Sequence, residues 1–117
     1  MSFNWYDFIE LGKSLIEIPG KFREAALRSA VSRAYYAGFN IASEHEKENH
    51  GYNPYNFDSH SQLKEHFRKK NVKISRHLDT LHQWRKQCDY DQEVNNLEKL
   101  MIPSVINKVD NMLSLLN

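Results

Sequence analysis

The sequence predicts an all-α protein, an up-and-down bundle of about five helices that forms a single domain over residues 1–117. Apolar residues recur at intervals of three and four along almost the whole chain, which is the periodicity of amphipathic helices. No stretch alternates strictly between apolar and polar residues, as a half-buried strand does. Only four glycines and three prolines interrupt the pattern, so we expect long helices and few loops.

The first two predicted helices meet at Pro19-Gly20, a pair that ends a helix. The first covers about residues 4–17, with Asn4 as a candidate N-cap. The second covers about residues 22–46 and is rich in alanine. Because small side chains let neighbouring backbones approach closely, we expect the second helix to be the central one.

A substantial loop, residues 47–57, precedes the third helix, since a glycine and a proline break any helical pattern there. Ser59 and Gln62 then have the spacing of a capping box for a short third helix that ends near residue 70. The fourth helix is predicted over about residues 73–90.

The fifth helix is predicted to start after Asp91, a candidate N-cap, and to reach Leu116. Its apolar residues keep helical spacing throughout. Pro103 lies inside this pattern. Because proline donates no backbone hydrogen bond and its ring clashes with the preceding turn, we expect a kink at this residue.

The composition excludes several classes of protein. The net charge is +1, so no protein-wide field attracts nucleic acid. No apolar run approaches the roughly 20 residues of a membrane span, and the N-terminus lacks the basic start of a signal peptide. The single cysteine rules out an internal disulfide and fits a reducing cytosol, so we expect a cytoplasmic protein without a membrane partner.

Positive charge is concentrated between residues 64 and 76, where six lysines and arginines accompany one glutamate. Lys69 and Lys70 lie in the middle of this cluster. The cluster is either a solvated turn between helices or a local phosphate-binding patch, and both interpretations stay open. The aromatic residues of the preceding loop either stack on unpaired bases or pack on the bundle as a lid. They are Tyr52, Tyr55 and Phe57.

Two arginines occupy positions that the periodicity marks as internal. Arg85 continues the apolar stripe of the fourth helix at intervals of three and four, and Arg33 lies in the apolar run of residues 30–42. A buried guanidinium must be paired or must hold an anion, because its desolvation is costly. These two arginines therefore indicate where a functional site is to be expected.

A polar seam is predicted along one face of the second helix, with the members Ser29, Arg33, Tyr36 and Asn40. On the fourth helix, Arg85 and Asp89 are four residues apart and so share a face. We expect Asp89 to pair with Arg33 across the helices, which leaves Arg85 free to hold a phosphate. The alternative is a buried network of these charges with Tyr90 that only holds the helices in register.

Three elements of the sequence, in this order, resemble the signatures of one known family. Residues 28–39 read RSAVSRAYYAGF, residues 59–61 read SHS and residues 85–90 read RKQCDY. They resemble the HEPN domain superfamily, and most closely its small single-domain prokaryotic branch, which carries matching elements in the same order. The preceding and following helices fit as well, so the resemblance covers nearly the whole chain.

The resemblance implies a helical bundle that dimerises and brings the arginine elements of both subunits together in a cleft. It also implies a metal-independent endoribonuclease, as in many members of the superfamily, which act as toxins of toxin–antitoxin pairs or in defence. Such members are often encoded beside a small nucleotidyltransferase. In the active branches an arginine holds the scissile phosphate, and a histidine four to six residues later assists proton transfer.

This chain departs from that pattern because no histidine follows Arg85. Asp89 and Tyr90 stand in the corresponding stretch. An aspartate with a pKa near about 3.9 and a tyrosine with a pKa near about 10 are poor proton-transfer groups at neutral pH. His60, in the SHS element, is the best remaining candidate for that role.

No cofactor and no metal site are expected from the sequence. No glycine-rich loop that would cradle a phosphate is present. The intervals between four histidines match no standard metal-binding motif, and the one cysteine adds no pair. These histidines are His45, His50, His60 and His66.

Three hypotheses follow. The first is a homodimeric HEPN-type protein that binds RNA; whether it also cleaves RNA, without metal, stays open at this point. Its candidate catalytic residues are Arg85, Asp89, Tyr90 and His60, and its candidate RNA- or nucleotide-binding residues are Arg33, Tyr36, Lys69 and Lys70. The second is a non-catalytic module that binds a nucleotide or a partner protein, such as a nucleotidyltransferase or an antitoxin. The third is a charge network with a structural role alone.

Overall fold

The computed structural model describes residues 3–117, and the predicted all-α bundle is confirmed over that range. It contains five α-helices and no strand among the described residues. The helices are α1 (Tyr6–Ile16), α2 (Arg23–Asn49), α3 (His60–Lys70), α4 (Val72–Tyr90) and α5 (Ile102–Ser114). No described helix combines the length and the apolar character that crossing a membrane requires.

Helix α2 is the centre of the bundle, as its small residues predict. It packs against α1, α4 and α5. Ala30, Ala34 and Ala37 are fully buried. At Gly38 a Cβ atom would lie 2.9 Å from Met112 Cε, so α5 crosses α2 where there is no side chain to separate them. The alanines and this glycine therefore permit the close approach of the helices.

The predicted N-cap of α3, Ser59, is present, whereas the N-cap residue of α1 is Trp5 and the predicted Asn4 lies one residue earlier. The Asn4 side chain accepts the Tyr6 N–H at 3.1 Å, and Ser59 Oγ accepts the Gln62 N–H at 3.3 Å. The Gln62 amide does not reach back to Ser59, as it would in a full capping box. It donates instead to the carbonyls of Tyr55 and Phe57, so it holds the preceding loop against α3.

The fifth helical segment starts later than predicted, because residues 92–96 are not helical. Asp91 follows the end of α4, and its N–H bonds to the Gln87 carbonyl. A π-helical turn, Leu97–Met101, comes next, and α5 begins only at Ile102. Pro103 lies in the first turn of α5. Because the first turn needs no N–H donor, the proline starts this helix rather than kinking a longer one.

Candidate functional site

Arg85 lies near the C-terminal end of α4, where the buried stripe of that helix reaches the surface. The stripe is confirmed, since Ile74, Leu78, Leu81 and Cys88 are buried. The Arg85 side chain is 17% exposed, so it sits at the edge of the core rather than inside it. Its guanidinium carbon lies 5.1 Å from the centre of the Tyr36 ring and 5.4 Å from that of the Tyr90 ring.

Two hydroxyl groups fix the orientation of the Arg85 guanidinium. Nη2 donates to the Tyr36 hydroxyl at 2.5 Å and more distantly to the Tyr90 hydroxyl at 3.5 Å. The other terminal nitrogen, Nη1, has no hydrogen-bond partner within residues 3–117, yet it is not buried. One terminal nitrogen of a clamped guanidinium, Nη1, is therefore left available to a ligand.

The partner of Asp89 is Arg85 and not Arg33, which corrects the predicted cross-helix pair. Arg85 Nε lies 2.9 Å from Asp89 Oδ2. The Nε–H is not aligned with that oxygen as a hydrogen bond, so the contact is an ion pair within α4. From α2, it is Ser32 that reaches the carboxylate, donating to Oδ2 at 3.2 Å.

Arg33 lies on the exposed side of α2, where its guanidinium stands 5.0 Å from the Phe8 ring centre of α1. The neighbouring Ser32 faces α4 instead, because successive helical residues point about 100° apart. The predicted polar seam is accordingly wrong at its N-terminal end, where Ser29 and Arg33 are exposed. Tyr36 is half-buried and is the member of the seam that joins the Arg85 site.

Arg28 stabilises the end of α4, a role that spacing analysis missed. Its guanidinium donates to three main-chain carbonyls at the C-terminal end of α4 and in the following turn, those of Cys88, Asp91 and Gln92. A cation at this position satisfies the last carbonyls of a helix and interacts favourably with its dipole. Arg28 therefore holds in place the turn that carries Asp89 and Tyr90.

His60 forms the second half of the site, together with a histidine that sequence reasoning did not select. Its Nδ1 lies 3.0 Å from the Tyr35 hydroxyl. Its ring stacks on that of His82, with the ring centres 3.6 Å apart and the planes 12° apart. His82 precedes Arg85 by three residues, so the two share a face of α4. A search for histidines before Arg85, and not only after it, finds this residue.

Both histidines are held in the neutral form at neutral pH. Burial lowers the pKa of His60, although Asp79 opposes the shift. Burial lowers the pKa of His82 to about 4, helped by the neighbouring His60, which disfavours a second proton, and by the positive charges of Lys86 and Arg85. His60 Nε2 is buried without a hydrogen-bond partner among the described residues and lies 3.5 Å from Asp79 Oδ1. The pair can accept a proton but does not carry one at pH 7.

The two candidate binding residues of the basic cluster lie away from Arg85. Lys69 and Lys70 end α3, next to the start of α4, whereas Arg85 is near the other end of α4. At 1.5 Å per residue this separation is about 20 Å. Lys70 is also paired with a carboxylate, since its Nζ lies 2.7 Å from Glu46 Oε1. Lys69 is exposed, so of the two it is the one available to a ligand in solution.

The three loop aromatics lie in two different environments. Tyr52 packs against the core, and its hydroxyl donates to Asp58 at 2.9 Å. Tyr55 and Phe57 are 80% and 73% exposed. Only Tyr52 therefore acts as a lid on the bundle.

Comparison with protein-family models, with curated proteins and with solved structures finds no match for this chain. The resemblance to the HEPN superfamily therefore stays a prediction from the three sequence elements. A function for this chain therefore has to be inferred from the geometry around Arg85, without a related protein of known function.

Proposed function

We propose that this protein is a cytoplasmic, HEPN-type protein that binds RNA through a phosphate held by Arg85, and that it cleaves RNA without metal. The observation that carries the proposal is the Arg85 guanidinium, which is clamped by Tyr36 and Asp89 while its Nη1 remains open to solvent. A planar guanidinium with a free edge suits a phosphate, and its fixed orientation reduces the entropy lost on binding.

The surroundings of Arg85 favour a single-stranded nucleic acid over a free anion. The Tyr90 ring is 71% exposed and lies beside the guanidinium, so an unpaired base can stack on it while the adjacent phosphate contacts Nη1. Lys86, the neighbour of Arg85, is exposed and adds a second positive charge. The negative charge of Asp89 offsets part of the positive charge around Arg85, so the site attracts one phosphate rather than several phosphates of an RNA backbone.

Cleavage requires a base for the ribose 2′-hydroxyl, and the stacked histidines supply it. A neutral imidazole accepts the 2′-hydroxyl proton as the 2′-oxygen bonds to phosphorus and the bond to the 5′-oxygen breaks. The departing 5′-oxygen takes its proton from solvent water, and the imidazolium returns its proton to solvent. A phosphate bound at Arg85 raises the pKa of His82, one turn earlier, because it adds negative charge nearby. This shift brings the pKa of His82 closer to neutral pH, where a general base is most effective.

Dimerisation, implied by the resemblance, forms part of the proposal. Five large apolar side chains near the N-terminal end of the described residues remain exposed in the single chain: Phe3 at 50%, Tyr6 at 54%, Leu11 at 42%, Ile18 at 37% and Phe22 at 66%. Such side chains favour contact with a second copy, or with a partner such as an antitoxin or a nucleotidyltransferase.

A second candidate is a non-catalytic module that binds a nucleotide or a partner protein. The pKa of His82, about 4, favours it, because a histidine this acidic carries no proton at pH 7 and cannot protonate a leaving group. In this case Arg85 binds its ligand without turnover.

An RNA-cleavage assay in EDTA separates the two candidates. Purified protein is incubated with mixed single-stranded RNA, beside Arg85→Ala and a control, Arg76→Ala, which changes an exposed arginine earlier on α4. We expect cleavage by the wild type and by Arg76→Ala, and its loss in Arg85→Ala. Intact RNA in every lane, with binding retained, would favour the non-catalytic module.

A further inference from the structure

A separate cluster of titratable groups surrounds Glu46, near the C-terminal end of α2. The Glu46 side chain is 1% exposed, although a carboxylate is rarely buried so completely. Its Oε1 accepts hydrogen bonds from Lys70 Nζ at 2.7 Å and His66 Nε2 at 2.8 Å. Its Oε2 lies 2.8 Å from His45 Nδ1. The carboxylate thus joins α2 to α3 and faces two histidines.

A third histidine reaches this carboxylate because of the way α2 ends. The N–H groups of His50 and Tyr52 both bond to the Glu46 carbonyl, at 2.9 Å and 3.2 Å. Gly51 between them adopts a positive φ of 69°, a conformation that glycine adopts without strain. The resulting turn brings His50 Nε2 to 4.0 Å from Glu46 Oε2.

We propose that His45 Nδ1, Glu46 Oε2 and His50 Nε2 bind a divalent transition-metal ion of the Zn²⁺ class. These three atoms lie within 4.8 Å of one another. In a tetrahedral zinc site, neighbouring ligand atoms are about 3.3 Å apart, so side-chain rotations bring the three atoms to binding distance. Two imidazoles and one carboxylate form a ligand set suited to Zn²⁺, with a fourth position left open.

The hydrogen bonds of the cluster indicate how an ion would be accommodated. In the metal-free protein His45 Nδ1 donates to Glu46, and His50 Nε2 donates to the Asn117 carbonyl at 2.7 Å. The ion takes the place of these two protons. Each imidazole stays neutral by carrying its proton on the other ring nitrogen, and the Asn117 carbonyl is released.

The groups on Oε1 hold the carboxylate for the metal. Lys70 and His66 stay bonded to Oε1 and so fix the orientation of Oε2. Hydrogen-bond partners of metal ligands orient those ligands in the same way in other metal sites. Lys70 also carries a positive charge, which opposes a cation. We therefore expect the substitution Lys70→Gln to strengthen metal binding if the variant keeps the fold.

Calorimetric titration of the untagged full chain with Zn²⁺ tests the site. The variants are His45→Gln and His50→Gln, and the control is His77→Gln, which removes a histidine from α4 away from the cluster. We expect one ion per chain and an affinity at least tenfold lower in each of the two variants, with His77→Gln unchanged. Circular dichroism verifies the fold of each variant, and His50, at the exposed end of α2, is the safer substitution.

Two results would overturn the site. One is the absence of stoichiometric Zn²⁺ binding by the wild type. The other is an equal Zn²⁺ affinity in His45→Gln, His50→Gln and the control His77→Gln, because the ion would then be bound elsewhere. Along α2, Glu46 lies about 15 Å from Tyr36, the residue of that helix that contacts Arg85. RNA binding and the Zn²⁺ site therefore succeed or fail independently.

Discussion

The Tyr36 hydroxyl accepts a hydrogen bond from Arg85 Nη2 at 2.5 Å, and this contact joins α2 to the last turns of α4. It leaves Nη1 as the nitrogen that faces solvent. The hydroxyl therefore determines which edge of the guanidinium an incoming phosphate meets. Tyr36 is in this sense a positioning residue for Arg85.

The substitution Tyr36→Phe should weaken RNA binding without abolishing it. It removes the hydrogen bond to Nη2 but keeps the ring beneath the guanidinium, so Arg85 becomes less ordered while its charge remains. We expect a rise in Kd of roughly three- to tenfold, which corresponds to about 1 kcal/mol. Fluorescence anisotropy with a labelled RNA measures it. Tyr55→Phe, at an 80% exposed loop residue, is the control, and equal Kd values for the two variants would contradict the positioning role.

The substitution Tyr35→Phe should destabilise the fold. Tyr35 is 4% exposed, and its hydroxyl is bonded to His60 Nδ1. Removing the hydroxyl leaves a second nitrogen of His60 without a partner among the described residues, which costs about 1–3 kcal/mol. Urea denaturation measures the change in the free energy of unfolding, with Tyr6→Phe as an exposed control. A change no larger than that of the control would show that the hydrogen bond does not stabilise the protein.

Stability should fall as the pH is lowered from 6.5 towards 4, partly because of His82. The pKa of His82 falls from its ordinary 6.5 to about 4 on folding, so between these values the unfolded chain binds more protons than the folded one. The contribution is fully present above pH 6.5 and is lost through this window. In His82→Gln the decline in melting temperature between pH 7 and 5 should be shallower than in the wild type. Parallel declines would mean that His82 titrates normally.

The sequence predicted the fold well, because helical periodicity reports burial directly. The stripe that contains Ile74 and Leu81 is buried, as its spacing requires. The fifth helix was mispredicted from the same periodicity. A π turn and an α-helix present apolar residues in similar order, and the backbone geometry before Pro103 is not encoded in that order.

The candidate site was predicted in part. Arg85, Tyr36 and Tyr90 do come together, but the expected pairing of Arg33 with Asp89 is wrong. Periodicity identifies the faces of a helix without showing which neighbour covers each one, and α1 rather than α4 lies beside Arg33.

The cluster around Glu46 was missed for a related reason. His45 and His50 are five residues apart, an interval that does not place two side chains together within a regular helix. They meet because α2 ends between them and the chain turns at Gly51. Sequence spacing therefore argues against the metal site that we propose, because that site depends on the geometry of a helix end.

The salt dependence of RNA affinity tests most directly whether Arg85 holds a phosphate. Kd for a labelled single-stranded RNA is measured by anisotropy over a range of salt concentrations, for the wild type, Arg85→Ala and Arg76→Ala. Each phosphate contact on a single strand contributes about 0.7 to the slope of log K against log salt. We predict a lower affinity for Arg85→Ala and a slope smaller by about 0.7 than that of the other two. Equal slopes and affinities for Arg85→Ala and the wild type would contradict the account.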